Sequence, residues 1–337
     1  MLGSETILRG ATGDALAADI EALGERLARA RSEIGTIIFG QTDVVDQAIV
    51  TLLAGGHAVL IGVPGLGKTR LVETLGAVFG LDEKRIQFTP DLMPADILGS
   101  EILEETEGGR RGFRFVEGPV FTQLLMADEI NRASPRTQSA LLQAMQERRV
   151  SVAGQYRSLP KPFHVLATQN PLEQEGTYPL PEAQLDRFLM EIEVVYPDLD
   201  AERQMLLATT GIEEAVPTHV LTATDLLEAQ RLVRRIPVGE GVLDAILRLV
   251  RSGRPGESPI SGIDEEVAWG PGPRASQALM LATRARALLD GRFSPSVDDV
   301  LALAHPVLRH RMALSFAARA DGVTVDAVID RLCEPLG

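Results

Sequence analysis

Between residues 62 and 69 the chain reads Gly62-Val63-Pro64-Gly65-Leu66-Gly67-Lys68-Thr69, the spacing G-x-x-x-x-G-K-[ST] of a phosphate-binding loop. Glycines let successive backbone N–H groups turn inward around an oxyanion, and the start of the following helix adds its partial positive charge. Lys68 can reach the outer phosphates, and the Thr69 hydroxyl is a hard oxygen ligand for Mg2+. The loop follows an apolar run at 58–61 and precedes a helical pattern over 70–78, the placement that this chemistry needs. Together with Arg70, which opens that pattern, these residues form the expected cofactor-binding set for ATP and Mg2+. Lysine is otherwise scarce, since only Lys68, Lys84 and Lys161 occur in a chain that draws its positive charge from arginine.

A second constellation is Leu124-Leu125-Met126-Ala127-Asp128-Glu129, an apolar run that ends in two carboxylates. In phosphate-loop enzymes an Asp at the end of a neighbouring buried strand helps to hold the Mg2+ that the loop hydroxyl also contacts. Asp128 and Thr69 are therefore the expected metal ligands. Glu129, one residue further at the exposed strand end, suits the polarising of an attacking water, which points to hydrolysis and away from transfer to an acceptor.

These groups need a scaffold that delivers them to one edge. Short apolar runs at 58–61, 86–88, 124–127 and 165–167 alternate with helical patterns, which predicts a parallel sheet covered on both faces. Two amphipathic helices are expected first, over 15–37 with Asp14 as N-cap and over 42–54. Ser134 before Pro135 starts a further helix that runs to about residue 148. After Pro197 the strand signals stop, and Gly/Pro breaks at 211–217, 253–262 and 270–273 separate helical stretches. The expected division is an α/β nucleotide-binding core with N-terminal helices over 1–198 and a smaller all-α domain over 199–337.

Composition narrows the function classes. A net charge of −14 and an aromatic content of 4% disfavour passive binding to nucleic acid, which rests on Lys/Arg neutralisation of phosphates and on stacking platforms. The single Cys333 allows no internal disulfide, and no Cys/His group has metal-site spacing, so a reducing, cytoplasmic setting is expected. Residues 1–10 lack the basic and apolar regions of a secretory signal. Residues 47–67 contain no ionisable group except His57, yet Gly55-Gly56 divides the run and excludes a spanning helix.

The strings Asp128-Glu129-Ile130-Asn131-Arg132, Gln138-Ser139-Ala140-Leu141-Leu142-Gln143-Ala144-Met145, Ala167-Thr168-Gln169-Asn170-Pro171 and Tyr178-Pro179-Leu180-Pro181-Glu182-Ala183-Gln184-Leu185-Asp186-Arg187-Phe188 resemble, in order, the MoxR family of AAA+ ATPases. The resemblance covers the chain from about residue 40 to 316 and implies an αβα core followed by a helical lid. It implies that Asn170 is the polar sensor that helps to position the hydrolytic water; read from the residues alone, Asn170 equally caps a turn. Arg187 matches the arginine finger that enters a neighbouring subunit's site, the plain alternative being an ion pair with Asp186 or Glu182. Arg274, in Gly272-Pro273-Arg274-Ala275-Ser276, resembles the second sensor arginine and serves either its own site or a neighbour's.

Residues 99–118, with Gly108-Gly109, resemble an inserted hairpin, as do residues 149–163. What the family implies beyond this is a ring, a hexamer, that acts as a chaperone-like remodeller with a partner bearing a von Willebrand A domain. A magnesium-chelatase-like motor subunit and a nucleic-acid-remodelling ATPase are the alternatives. Glu129 and the sensor and finger matches argue against a small-molecule kinase, and no Asn-Lys-x-Asp string supports a GTPase.

Overall fold

The computed structural model describes residues 3–105, 111–173, 176–211 and 215–337, with side chains from residue 15 onward. The chain opens with α1 (Gly3–Gly35) and α2 (Thr42–Ala54), followed by β1 (Ala58–Ile61) and α3 (Lys68–Val78). Then come β2 (Glu83–Gln87), α4 (Pro94–Leu98) and an antiparallel hairpin of β3 (Gly99–Glu105) with β4 (Arg111–Glu117). Helix α1 begins well before the expected start, so Asp14 lies inside it and does not cap it. Gly108 and Gly109, the expected turn of the β3–β4 hairpin, lie outside the described residues.

The next elements are β5 (Leu124–Asp128), α5 (Pro135–Glu147), β6 (Arg149–Val152), β7 (Gln155–Ser158), β8 (His164–Gln169), α6 (Glu182–Leu185) and β9 (Met190–Glu193). Ser134 caps α5 by accepting from Thr137 N, with Pro135 at the first helical position, where a missing N–H costs nothing. Strands β6 and β7 form a second hairpin whose turn residues Ala153 and Gly154 both have positive φ, 50° and 76°. That is the geometry of a two-residue turn matched to the right-handed strand twist.

The central sheet has the order β2-β5-β8-β1-β9 and is parallel throughout. Parallel pairing requires crossovers that cover both faces, and β5 and β8 are buried accordingly, as the continuous apolar runs predict. Because every strand runs the same way, the loops after β1, β5 and β8 emerge at one edge.

Beyond β9 the elements among the described residues are helical except for one short antiparallel pair. The helices are α7 (Leu199–Thr209), α8 (Ala223–Arg235), α9 (Glu240–Ser252), α10 (Ile263–Glu266), α11 (Pro273–Leu289), α12 (Val297–Leu308), α13 (Phe316–Ala320) and α14 (Val325–Cys333). The pair joins β10 (Val267–Trp269) to β11 (Ala313–Leu314), a region where no strand is expected from sequence. Val267 and Leu314, facing partners in it, are both buried. The helices α8, α9, α11 and α12 share one apolar core with α1, α2 and one face of the sheet, including Leu27, Leu53, Leu60, Leu232, Leu279 and Leu303. Among the described residues no helix is long and apolar enough to cross a membrane.

Candidate active site

The phosphate-binding loop leaves β1 and turns into α3. Gly65 and Gly67 have φ of 87° and 75°, the left-handed region that glycine enters without cost, and a Cβ at either would meet nothing within 4 Å. Gly62 is required for a different reason: a Cβ there would stand 2.6 Å from the Val194 carbonyl oxygen on the neighbouring chain segment. Lys68 Nζ donates to the carbonyls of Gly62 and Val63 at 2.7 and 2.8 Å. Burial lowers its proton affinity, and the nearby carboxylates of Asp128 and Glu129 work against that shift. Thr69 is half-buried on the first turn of α3. The Arg70 guanidinium reaches away to the Ala215 carbonyl at 3.1 Å, which leaves its backbone N–H as the group suited to the phosphate-binding set.

Asp128 ends β5 beside this loop. Thr168, on β8, donates its hydroxyl to Asp128 Oδ1 at 2.6 Å and accepts from Glu129 N at 2.8 Å. One buried hydroxyl therefore fixes both acidic residues. Arg85, on β2, pairs with Asp128 Oδ2 at 2.5 Å. Glu129 has φ 55° and ψ 51°, the left-handed region, which costs a non-glycine residue about 1–2 kcal/mol. Its carboxylate accepts from Gln87 Nε2 at 2.7 Å and from Arg132 Nη1 at 3.0 Å. Buried Gln138 secures the segment behind it, its amide N–H groups serving the carbonyls of Ile130, Ala133 and Tyr178 at 2.9–3.2 Å.

The donor set fits Mg·ATP: hard oxygens at Thr69 and Asp128, an ammonium at Lys68 and an uncluttered loop at a helix N-terminus. Among the described residues no group of His, Cys, Asp and Glu could hold a metal by itself, which suits an ion that arrives with phosphate oxygens as further ligands.

Asn170 follows β8 directly and so shares this edge; its Oδ1 accepts from Leu172 N at 3.1 Å, the turn-capping bond that a strand-end Asn favours. Arg187 and Arg274 are elsewhere. Register pairs Ala58 with Met190 and Ile61 with Glu193, so Arg187 lies before β9 at the opposite edge of the sheet, about 20 Å of strand from the loop that follows β1. Arg187 and Arg274 line one cavity there together with Gly55, His57, Arg148 and Gln277. Asp186 is engaged by Arg311 at 2.8 Å and by Arg274 at 3.4 Å, and no ion pair to Asp186 or Glu182 is formed by Arg187 among the described residues. Burial and the neighbouring Arg274 both disfavour the charged form of Arg187, and the pocket is lined by Arg148, Arg187, Arg274 and Arg311 against the single carboxylate of Asp186.

Sequence reasoning missed the groups that hold these residues in place. Arg311 is 2% exposed and, besides Asp186, donates to the carbonyls of Phe188, Leu189 and Val307 at 2.5, 3.1 and 2.5 Å. It lies 124 positions from Arg187 in sequence, as 311 − 187, and no local pattern marks it. Thr168 and Gln138 belong to the strings that carry the family resemblance, yet only the fold shows what they hold. Arg85 and Gln87 sit on an edge strand of the form Glu83-Lys84-Arg85-Ile86-Gln87, polar enough to hide their facing of Asp128 and Glu129.

A parallel sheet with this strand order, a phosphate loop and two acidic residues at one edge, and a helical lid define a P-loop ATPase of the AAA+ class. The profile of the ATPase family associated with various cellular activities matches residues 57–190, and that of the AAA lid domain matches residues 261–332. The sequence is 43% identical over 326 residues to the chaperone MoxR1 of Mycobacterium tuberculosis, covering 96% of this chain and 84% of that protein. It is 32% identical over 319 residues to the protein MoxR of Methylorubrum extorquens, covering 90% and 91%. A crystal structure of a candidate ATPase from Cytophaga hutchinsonii superposes with a TM-score of 0.88 at 33% identity, over 97% of this chain and 98% of that one. The chain belongs to the MoxR family of AAA+ ATPases.

Proposed function

We propose that the chain is a Mg2+-dependent ATP hydrolase that turns over only as a ring, a hexamer, in which each site is completed by the next subunit. The observation that carries this reading is the placement of the phosphate loop, Asp128, Glu129 and Asn170 at one edge of the sheet and of Arg187 and Arg274 at the other. No arginine side chain spans that distance, so the two arginines act on a neighbour's nucleotide. Bound Mg·ATP supplies the electrophilic γ-phosphoryl group and the ion that screens its charge. Toward it, the loop amides of residues 62–70 and Lys68 bind the phosphates, Thr69 and Asp128 hold the ion, and Asn170 orients the water. Glu129 takes the water's proton on its carboxylate, and the neighbour's Arg187 and Arg274 face the charge that develops.

In this reading residues 1–198 form the nucleotide-binding core and residues 199–337 the lid. The MoxR resemblance supports a chaperone-like remodelling role on a partner with a von Willebrand A domain, and the lone Cys333 supports a reducing, cytoplasmic setting. Complementation between two dead variants tests the shared site. Glu129→Gln lacks the base but offers Arg187, whereas Arg187→Ala keeps the base and offers no finger, a group worth about 10³–10⁵ in rate in related enzymes. Mixed at equal amounts with subunit exchange, about one interface in four pairs an intact base with an intact finger, and activity reappears. A mixture as inactive as its components, with exchange demonstrated, would overturn the shared site.

A further inference from the structure

The segment that leaves the sheet beside the phosphate loop carries apolar side chains that stand exposed among the described residues. Val195, Tyr196, Leu199, Leu206 and Leu207 are 63%, 74%, 81%, 54% and 72% exposed. In α7 the spacing i, i+7, i+8 puts Leu199, Leu206 and Leu207 on one side, with the exposed Glu202 and Arg203 between Leu199 and the other two. Ala201, the buried residue of α7, points the opposite way, about 200° around the helix from Leu199. It fits against Gly40, where any Cβ would stand 2.3 Å from its own. The helix is thus attached by a narrow seam and turns a leucine stripe to solvent. Scattered apolar residues on a surface need no explanation, but five exposed on one connected segment, Val195 to Leu207, are the kind of patch that marks a contact.

Two observations say what covers it. The first is position: Val194 N donates to Ile61 O at 2.8 Å, and Gln41, next to Gly40, donates to the Leu66 carbonyl at 3.1 Å. The stripe therefore stands at the phosphate-loop edge, opposite in the molecule to Arg187. The second is charge. Asp198 caps α7, and Asp200 and Glu202 stand in its first turn. The far edge instead lines a cavity of about 280 Å3 with Arg148, Arg187 and Arg274 beside the apolar Met145 and Leu281, and Asp186 is the one carboxylate among its lining residues.

We propose that α7 is the docking helix for a second copy of this chain, whose arginine-lined face receives the leucine stripe and the acidic first turn. The assignment rests on the ring reading above and names the surface that builds it. Such a contact is head-to-tail and closes when the rotation between copies permits. Because Ala201 abuts Gly40 and Gln41 holds Leu66, docking on α7 also steadies the phosphate loop, so nucleotide and neighbour each strengthen the binding of the other.

The test is the double variant Leu206→Glu/Leu207→Glu, both positions being exposed and outside the nucleotide site. Sedimentation velocity with Mg2+ and a slowly hydrolysed ATP analogue measures assembly, and a fluorescent ADP analogue titrated into dilute protein measures binding to single subunits. The variant binds the fluorescent analogue within about twofold of the parent, while its assembly needs roughly tenfold more protein or fails. Parent-like assembly of the variant would overturn the proposal and leave the ring standing. A parent chain that stays monomeric with full activity would overturn the ring and the proposal together. In a Cys333→Ser background, Leu206→Cys gives no self-linked dimer on oxidation; such a dimer would mean that α7 meets α7 and would equally overturn the assignment.

Discussion

Replacing Arg311 by alanine tests whether one buried side chain holds the segment that carries Arg187. The guanidinium is 2% exposed and makes bonds to the Asp186 carboxylate and to the carbonyls of Phe188, Leu189 and Val307. Removing it leaves Asp186 with the half-exposed Arg274 alone, at 3.4 Å, and the Phe188 carbonyl with only His310 Nε2 at 3.1 Å. Breaking a buried pair in this way costs about 3–5 kcal/mol, a large share of the roughly 5–15 kcal/mol that a folded domain has in total. Lysine restores the charge but not the planar fork that serves several acceptors at once, so Arg311→Lys retains the fold at a cost of about 1–3 kcal/mol. Urea unfolding with an unchanged slope reads both costs as midpoint shifts. The lysine variant also loses turnover, because residues 186–188 carry Arg187. An alanine variant within about 1 kcal/mol of the parent would refute the assignment of Arg311 as the clamp of that segment.

Thr168→Val keeps the volume but strips the hydroxyl shared by Asp128 and Glu129; stability falls by about 1–3 kcal/mol and turnover by roughly 10- to 100-fold, read by urea unfolding and steady-state ATPase rates. Unchanged turnover would mean that Glu129 is aimed by its other contacts alone. His57 and His164 are fully enclosed and their proton affinities are pushed down to about 3 and about 4, mainly by burial. Their unfolded-state value is near 6.5, so the unfolded chain takes up more protons below that pH, and stability falls as pH drops through the interval from about 6.5 to about 4. At pH 5 each imidazole contributes about 2 kcal/mol of this loss; denaturant midpoints at pH 8 and pH 5 measure it, and His164→Gln shows a shallower slope.

What could be read from sequence follows from the range of the interactions. The loop 62–69 is a local pattern tied to a covalent spacing, and β1, β5 and β8 are apolar runs because parallel strands in a covered sheet are buried on both faces. Strand β2 was legible only at its C-terminal end, where the apolar run 86–88 overlaps it, since Lys84 and Arg85 before that run are polar and exposed on an edge strand. Strands β9, β10 and β11 are too short to show a period of their own. The extension of α1 across Gly10 and Gly13 ran against the usual weight of glycine as a breaker. Arg187 and Arg274 were found by resemblance, but their position opposite the phosphate loop is a property of strand order and register, which no single motif encodes.

With Glu129 as the proposed base, its left-handed backbone sets stability and turnover against each other in the history of such a chain. Glycine would occupy that conformation freely, and asparagine at smaller cost than glutamate. A lineage screened only for persistence of the fold would drift toward those residues, while one that must hydrolyse retains the acid and its discomfort. Copies of this gene that have lost turnover but kept nucleotide binding are therefore expected to show the change first at position 129, with Lys68 and Thr69 intact.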